Sequence, residues 1–217
     1  MKNVYIYCEG QSEETFINHL LYPYFMNLNI NIRPILCTTG TKRNVKYKGG
    51  VTTYAKIKHE LQILCKNHHN EFVTTMFDYY RMPKDTPGIQ IDRIDLYERI
   101  ELIENTINQD LGIKNCKFNL IVHEFEGLLF SKPEAFSLIA EQTIVAEIKK
   151  VRDSFITPEH INNSPETAPS KRFERLIPGY AKIKNGLLIS ENIGIDLLLI
   201  ECPHFSQWIK EIIDIGT

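Results

Sequence analysis

"VYIYCEGQSEETF", residues 4–16, decides how the chain is read. Residues 4–8 are an apolar run of β-branched and aromatic side chains, of strand length. The run stops at Glu9-Gly10. Ser12, a good helix N-cap, then opens a segment in which Phe16, Ile17, Leu20 and Leu21 form one apolar stripe. A strand that passes this quickly into a helix belongs to an alternating α/β chain. The stretch also raises a functional question, because the strand ends on a carboxylate and Glu13 and Glu14 follow on the next turn. Such acids are either solvated or gathered around something positive.

Further strand-like runs lie at 31–38, 72–77 and 118–123, with helical patterns at 54–68 and 91–109 between them. Pro23 is expected to kink or end the first helix. The alternation predicts an α/β fold with a mainly parallel four-stranded sheet flanked by helices. Past residue 130 strand signals stop. Helical patterns at 134–139, 143–151, 171–176, 193–200 and 205–213 are punctuated by Pro158, Pro165, Pro169, Pro178 and Pro203. Residues 1–130 are therefore expected to form the α/β core and 131–217 a helical C-terminal layer packed on it as one compact unit.

The 217 residues carry a net charge of −2, with 43% hydrophobic and 24% charged content, as in an ordinary soluble globular protein. No apolar run nears the ~20 residues a membrane helix needs, and no signal-peptide layout opens the sequence, so no membrane role and a cytoplasmic location are expected. Five scattered cysteines without a C-x-x-C pair suggest neither a disulfide framework nor a zinc site. No P-loop is present. From 38 to 58 the chain has Lys42, Arg43, Lys46, Lys48, Lys56 and Lys58 and no acid, a positive loop that either touches phosphates or is simply solvated.

Parallel α/β sheets bind ligands outside the carboxyl ends of their strands. The first strand ends at Glu9, the third at Asp78, and the fourth at His123, Glu124 and Glu126. Carboxylates at three of four strand ends offer the hard oxygen donors that Mg²⁺ or Mn²⁺ requires. Each has a plainer reading: dipole compensation for Glu13 and Glu14, a turn cap for Asp78, a core residue for His123. His123 is otherwise a proton shuttle or a partner of a ligating carboxylate. Tyr79 and Tyr80 either stack bases or edge the core. Lys171 and Arg172, at a helix start, either grip a phosphate or salt-bridge the helical layer to the sheet.

"CEGQSEETF" resembles the E-G-x-[ST]-E opening of Toprim domains, as found in overcoming-lysogenization-defect (OLD) nucleases. "EGQSEETF", "GGVTTYAKIK", "FDYYRMPKDTPG", "HEFEGLLFSKPEAF", "INNSPETAPSKRFERLIPGYAKIKNG" and "CPHFSQWI" resemble the domain-of-unknown-function family DUF4276 over nearly the full length. The resemblance implies a Toprim-like domain that binds a divalent cation. Glu9 is then the first glutamate and Glu13 the second of the E-x-x-x-E pattern. Asp78 opens the D-x-D motif, whose second position is Tyr80 instead of an acid. Glu124 and Glu126 form the third motif and replace the missing ligand, with Asp85 a further candidate. Gly10 would let a phosphate approach the backbone. The implied activity is Mg²⁺- or Mn²⁺-dependent phosphodiester cleavage in DNA or RNA, tRNA included, in which two ions stand roughly 3.5–4 Å apart. A role in bacterial phage defence beside a separate ATPase partner is implied by the same analogy. The alternatives are a phosphohydrolase or nucleotidyl transferase acting on small phosphates, and a non-catalytic binding module, which Tyr80 favours.

Overall fold

β1 (Lys2–Cys8) alternates its side chains between two apolar layers, and this builds the sheet. Val4, Ile6 and Cys8 enter one core, while Tyr5 and Tyr7 enter the other. A strand buried on both faces needs parallel neighbours with helices above and below. β1 pairs in parallel with β2 (Ile30–Leu36) on one side and with β5 (Phe72–Asp78) on the other, setting Val4 opposite both Ile32 and Phe72. The computed structural model describes residues 1–42, 45–48, 53–162 and 166–216, and for 39–48 the backbone alone. Among these residues no helix is long and apolar enough to cross a membrane.

The fourth strand runs parallel to β5 in two pieces, β6 (Cys116–Lys117) and β7 (Leu120–Ile121). Where the ladder breaks, the Thr75 hydroxyl donates to the Asn119 carbonyl at 2.7 Å and accepts from the Asn119 amide at 2.8 Å. The outer edge is covered by α4 (Leu96–Leu111): Asn108 accepts from the Phe118 amide and Glu104 from the Leu120 amide, each at 2.7 Å. An edge with its donors so occupied does not template further strands. The spatial order β2-β1-β5-β6 reverses direction between β1 and β5, creating a crevice at their carboxyl ends.

α3 (Tyr54–Asn67) and α4 pack on the Tyr5–Tyr7 face. The opposite face holds α1 (Gln11–Phe16), α2 (Tyr22–Asn27) and the helical C-terminal part. That part comprises α6 (Gln142–Asp153), α7 (Pro169–Leu176), α8 (Lys182–Ile193), α9 (Ile195–Glu201) and α10 (Pro203–Gly216). Residues 131–217 contribute Phe136, Phe173, Leu198, Phe205 and Ile212 to the same buried cluster as β1.

Several local expectations change. Gly10, not Ser12, is the N-cap of α1, and Ser12 is buried. Pro23 does not stop the helix, because a π turn at Ile17–Leu21 passes the chain into α2 with the proline in its first turn, where no amide is needed. Residues 91–95 are not helical. Asp95 caps α4 through the Glu98 amide at 2.8 Å, so the helix starts later than its apolar pattern. The basic segment expected as a loop contains an antiparallel hairpin, β3 (Thr38–Lys42) and β4 (Val45–Lys48).

Candidate functional site

The switch point between β1 and β5 is where the acids gather. Glu9 leaves β1 with its amide on the Met76 carbonyl, and Asp78 is the last residue of β5. Glu13 stands in the first turn of α1 and reaches back over Gly10, where a β-carbon would lie 3.2 Å from Glu13 Oε2. β7 turns into α5 (Phe125–Leu128) through His123, whose φ of 61° lies in the left-handed region that non-glycine residues seldom enter. That turn aims Glu124 and Glu126 inward. Exposures of 7% for Glu9, 4% for Glu13, 2% for Asp78 and Glu124 and 0% for Glu126 exclude solvated decoration.

Among the described residues, two cations face these five carboxylates. Lys182, the first residue of α8, sets its Nζ 3.0 Å from Glu126 Oε1, and Arg81 sets Nη1 3.9 Å from Glu9 Oε1. Burial in such a basin makes Glu9, Asp78 and Glu126 take up protons more readily. Burial, then the Glu13 charge, pushes Glu9 up to about 7 against the pull of Arg81 and Lys182. Asp78 is driven well above the carboxylate range by burial and by Glu13, with Lys182 opposing. Burial also raises Glu126, again against Lys182. Lys182 itself is raised: burial works against its charge, but Glu126, Asp78 and Glu13 outweigh it.

Some carboxylate oxygens already have structural duties. Asp78 Oδ1 accepts from the Phe125 amide at 2.8 Å, holding the start of α5. Glu124 Oε2 accepts from the Ser170 amide at 3.0 Å, holding the start of α7. Glu126 is different. Its Oε1 has Lys182 Nζ at 3.0 Å, while Oε2 forms no hydrogen bond to another described residue, and neither does the buried Tyr180 hydroxyl. Buried polar atoms in folded proteins are nearly always satisfied, so orphaned ones mark a place for an ion or water. Among the described residues no three acids, cysteines or histidines stand in ligating geometry as they lie. The acids share one basin without converging on one point. Their all-oxygen donor set fits Mg²⁺ or Mn²⁺.

The remaining sequence-stated candidates lie elsewhere in the network. Asp85 accepts from the Tyr54 amide at 3.1 Å and caps α3 instead of facing the acids. His123 places its ring against Tyr79 and near Asn162, and burial, then His160 and Arg99, lowers it to about 4, so it is a neutral residue packed behind the lip. Lys171 pairs with Glu174 at 2.7 Å on the exposed side of α7. Arg172 donates to the Thr167 carbonyl and covers the Phe155 ring. Arg43 and the side chain of Lys42 lie outside the described residues. The cations that do face the acids, Arg81 and Lys182, are not among the sequence-stated candidates. Arg81 follows the end of β5 by three positions, a signal the strand-end rule contains. Lys182 had no such signal, because α8 itself is hidden by Asn185-Gly186.

The family described as "Domain of unknown function (DUF4276)" matches residues 8–213. Among solved structures, the C-terminal region of the Xanthomonas campestris pv. campestris OLD protein is similar in two determinations. The one phased with platinum is 15% identical, with a TM-score of 0.44, covering 99% of this chain and 95% of that one. The one phased with iodine is 15% identical, with a TM-score of 0.42, covering 98% and 96%. No curated protein matches.

Proposed function

The chain belongs to the DUF4276 family, and on the chemistry of its acidic lip we propose that it is a Toprim-type phosphodiesterase cutting DNA or RNA with Mg²⁺ or Mn²⁺. The observation that carries this reading is the burial of Glu9, Glu13, Asp78, Glu124 and Glu126 at one lip of the sheet, Glu126 fully buried with Lys182 3.0 Å from its Oε1. Burying carboxylates in excess of their counter-charges costs several kcal/mol, and a divalent cation at the lip would offset that cost. Glu9, Glu13, Asp78 through Oδ2, Glu124 through Oε1 and Glu126 would hold the ion. Bound there, it supplies Lewis-acid polarisation of the scissile phosphate and activation of water. The chain's own residues do the rest. The absent side chain of Gly10 leaves room for the Glu13 carboxylate to lie beside Glu9. Arg81, half exposed at the rim, is placed to pair with an incoming phosphate oxygen. Lys182 supplies a fixed positive charge on the opposite side.

The resemblance to OLD-type nucleases extends the reading to bacterial phage defence in the cytoplasm, beside a separate ATPase. A second reading, a non-catalytic binding module, draws support from Lys182 already seated on Glu126 and from Tyr80 where the D-x-D pattern has an acid. Plasmid, single-stranded DNA and total tRNA incubated with the protein in Mg²⁺ and in Mn²⁺ separate the two. Cleavage abolished by Glu9→Gln and by Glu126→Gln is expected. Cleavage that persists in both variants removes this site from the chemistry. Hydrolysis of nucleotides without cleavage of polymers points to a small-phosphate hydrolase.

A further inference from the structure

The 3₁₀ turn Tyr79–Arg81, which follows β5 directly, is held from both sides. Its Tyr80 amide donates to the His123 carbonyl at 3.0 Å, and its Tyr79 ring packs against the His123 imidazole, 6.2 Å between centroids. A turn so fixed has no need to leave its middle residue in water. Yet Tyr80 is 39% exposed, whereas the other described aromatic residues, Tyr22 on α2 excepted, are at least partly buried. Arg81, next to it, keeps about half of its side chain in solvent while touching the acidic basin at Glu9. An exposed tyrosine and a half-exposed arginine are therefore neighbours in the turn that leaves the basin, two and three residues beyond Asp78. At most about 7 Å of chain separates Asp78 from Tyr80.

We propose that Tyr80 and Arg81 form a subsite for the nucleotide flanking the scissile phosphate, the base stacking on Tyr80 and its phosphate pairing with Arg81, so that the substrate is single-stranded. This rests on the phosphodiesterase reading of the same lip and adds its substrate class. A ring can stack only on a base whose face is uncovered, and in a duplex both faces of every internal base are taken by neighbours. Stacking of this kind tolerates any base, because each has a π face, so the subsite selects strandedness without selecting sequence. Arg81 adds salt-dependent attraction for the backbone, which the acidic basin by itself would repel. A small phosphate without a base would leave the tyrosine unused.

The test is binding of fluorescein-labelled 12-mers, single-stranded DNA, single-stranded RNA and a blunt DNA duplex, read by anisotropy in Ca²⁺ so that cleavage does not intervene. The wild type is expected to bind one or both single strands more tightly than the duplex, and the DNA and RNA arms show which sugar is accepted. Tyr80→Ala should weaken single-strand binding about tenfold, with Tyr80→Trp retaining it and Tyr22→Ala, the other exposed tyrosine, leaving it at the wild-type value. Equal affinity for duplex and single strand overturns the proposal, as does Tyr80→Ala binding like wild type, or no binding to any probe. The parent reading fails separately: a protein that binds single strands through Tyr80 but cuts nothing in Mg²⁺ or Mn²⁺ keeps this subsite and loses the phosphodiesterase.

Discussion

Glu9 lies at the end of β1 with 7% of its surface exposed, and its carboxyl is pushed up to about 7, principally by burial and secondarily by Glu13. An acid whose folded pKa lies above its unfolded value destabilises the fold wherever it must ionise. The penalty is absent below the unfolded value near 4.5, grows through the window up to about 7, and is complete above it. The shift corresponds to about 3 kcal/mol at pH 8. Glu9→Gln removes that ionisation. The variant should equal the wild type in urea unfolding at pH 4.5 and exceed it by about 2–3 kcal/mol at pH 8, while losing any metal-dependent activity. Equal stability at both pH values would mean that Glu9 is better solvated than its burial implies. Lys182 works in the other direction. With Lys182→Met, Glu126 keeps its burial and loses its counter-charge. Removing one partner of such a pair costs about 3 kcal/mol at pH 8 and less as the pH falls and the carboxylate protonates instead, a difference readable in the same urea titrations.

Among the elements, several helix starts are capped by carboxylates from elsewhere in the chain: α3 by Asp85, α5 by Asp78, α7 by Glu124 and α10 by Glu159. Glu159 is 2% exposed and accepts from the Phe205 amide at 2.9 Å, the His204 amide at 3.0 Å and the Tyr97 hydroxyl at 3.0 Å. Glu159→Gln turns one acceptor into a donor that faces other donors. The expected loss is about 2–3 kcal/mol. Trp208, the one tryptophan of the sequence, sits on α10 with its indole N–H on the Thr74 hydroxyl, so its fluorescence reports the loosening directly. Such caps are invisible to local pattern reading, because acceptor and helix are tens of residues apart. That is why Asp85 reads in sequence as a ligand candidate and acts in the fold as a cap. α8 escapes sequence reading for a related reason. Asn185-Gly186 is a turn signal, but Asn185 Oδ1 accepts from the Ala181 amide at 2.6 Å, and a β-carbon on Gly186 would meet the Phe125 ring at 3.3 Å. The glycine is there for close approach of α8 to α5, which is what brings Lys182 to the acids. Gly186→Val should cost about 1–3 kcal/mol by overpacking, measured by thermal or urea unfolding.

At the scale of the molecule, the β-branched and aromatic runs of the four parallel strands and the acids at their ends were legible, because strand periodicity and the strand-end rule act over a few residues. The counter-charges were not, since Lys182 arrives from a helix more than a hundred residues past Asp78. Among the described residues the fold holds five buried carboxylates against two cations, so its stability is expected to depend on pH and, on the proposed function, on divalent ions. A cation that binds the folded basin and not the unfolded chain stabilises by mass action, by about 2.7 kcal/mol at a hundred times its Kd. For a chain of this size that raises Tm by about 5–10 °C. Mn²⁺ at millimolar concentration is expected to give such a rise at pH 8. At pH 5.5 the increment should shrink, because a proton then occupies Glu9 and competes with the ion, and burial shifts Asp78 and Glu126 in the same direction. Glu126→Gln should remove most of the increment at pH 8 by taking away a fully buried carboxylate placed to hold the ion. Differential scanning fluorimetry of the two proteins at the two pH values reads all four quantities together. A wild-type Tm indifferent to Mn²⁺ at pH 8 would leave the basin without the ion that its unpaired charge demands, and the binding-module reading would take its place.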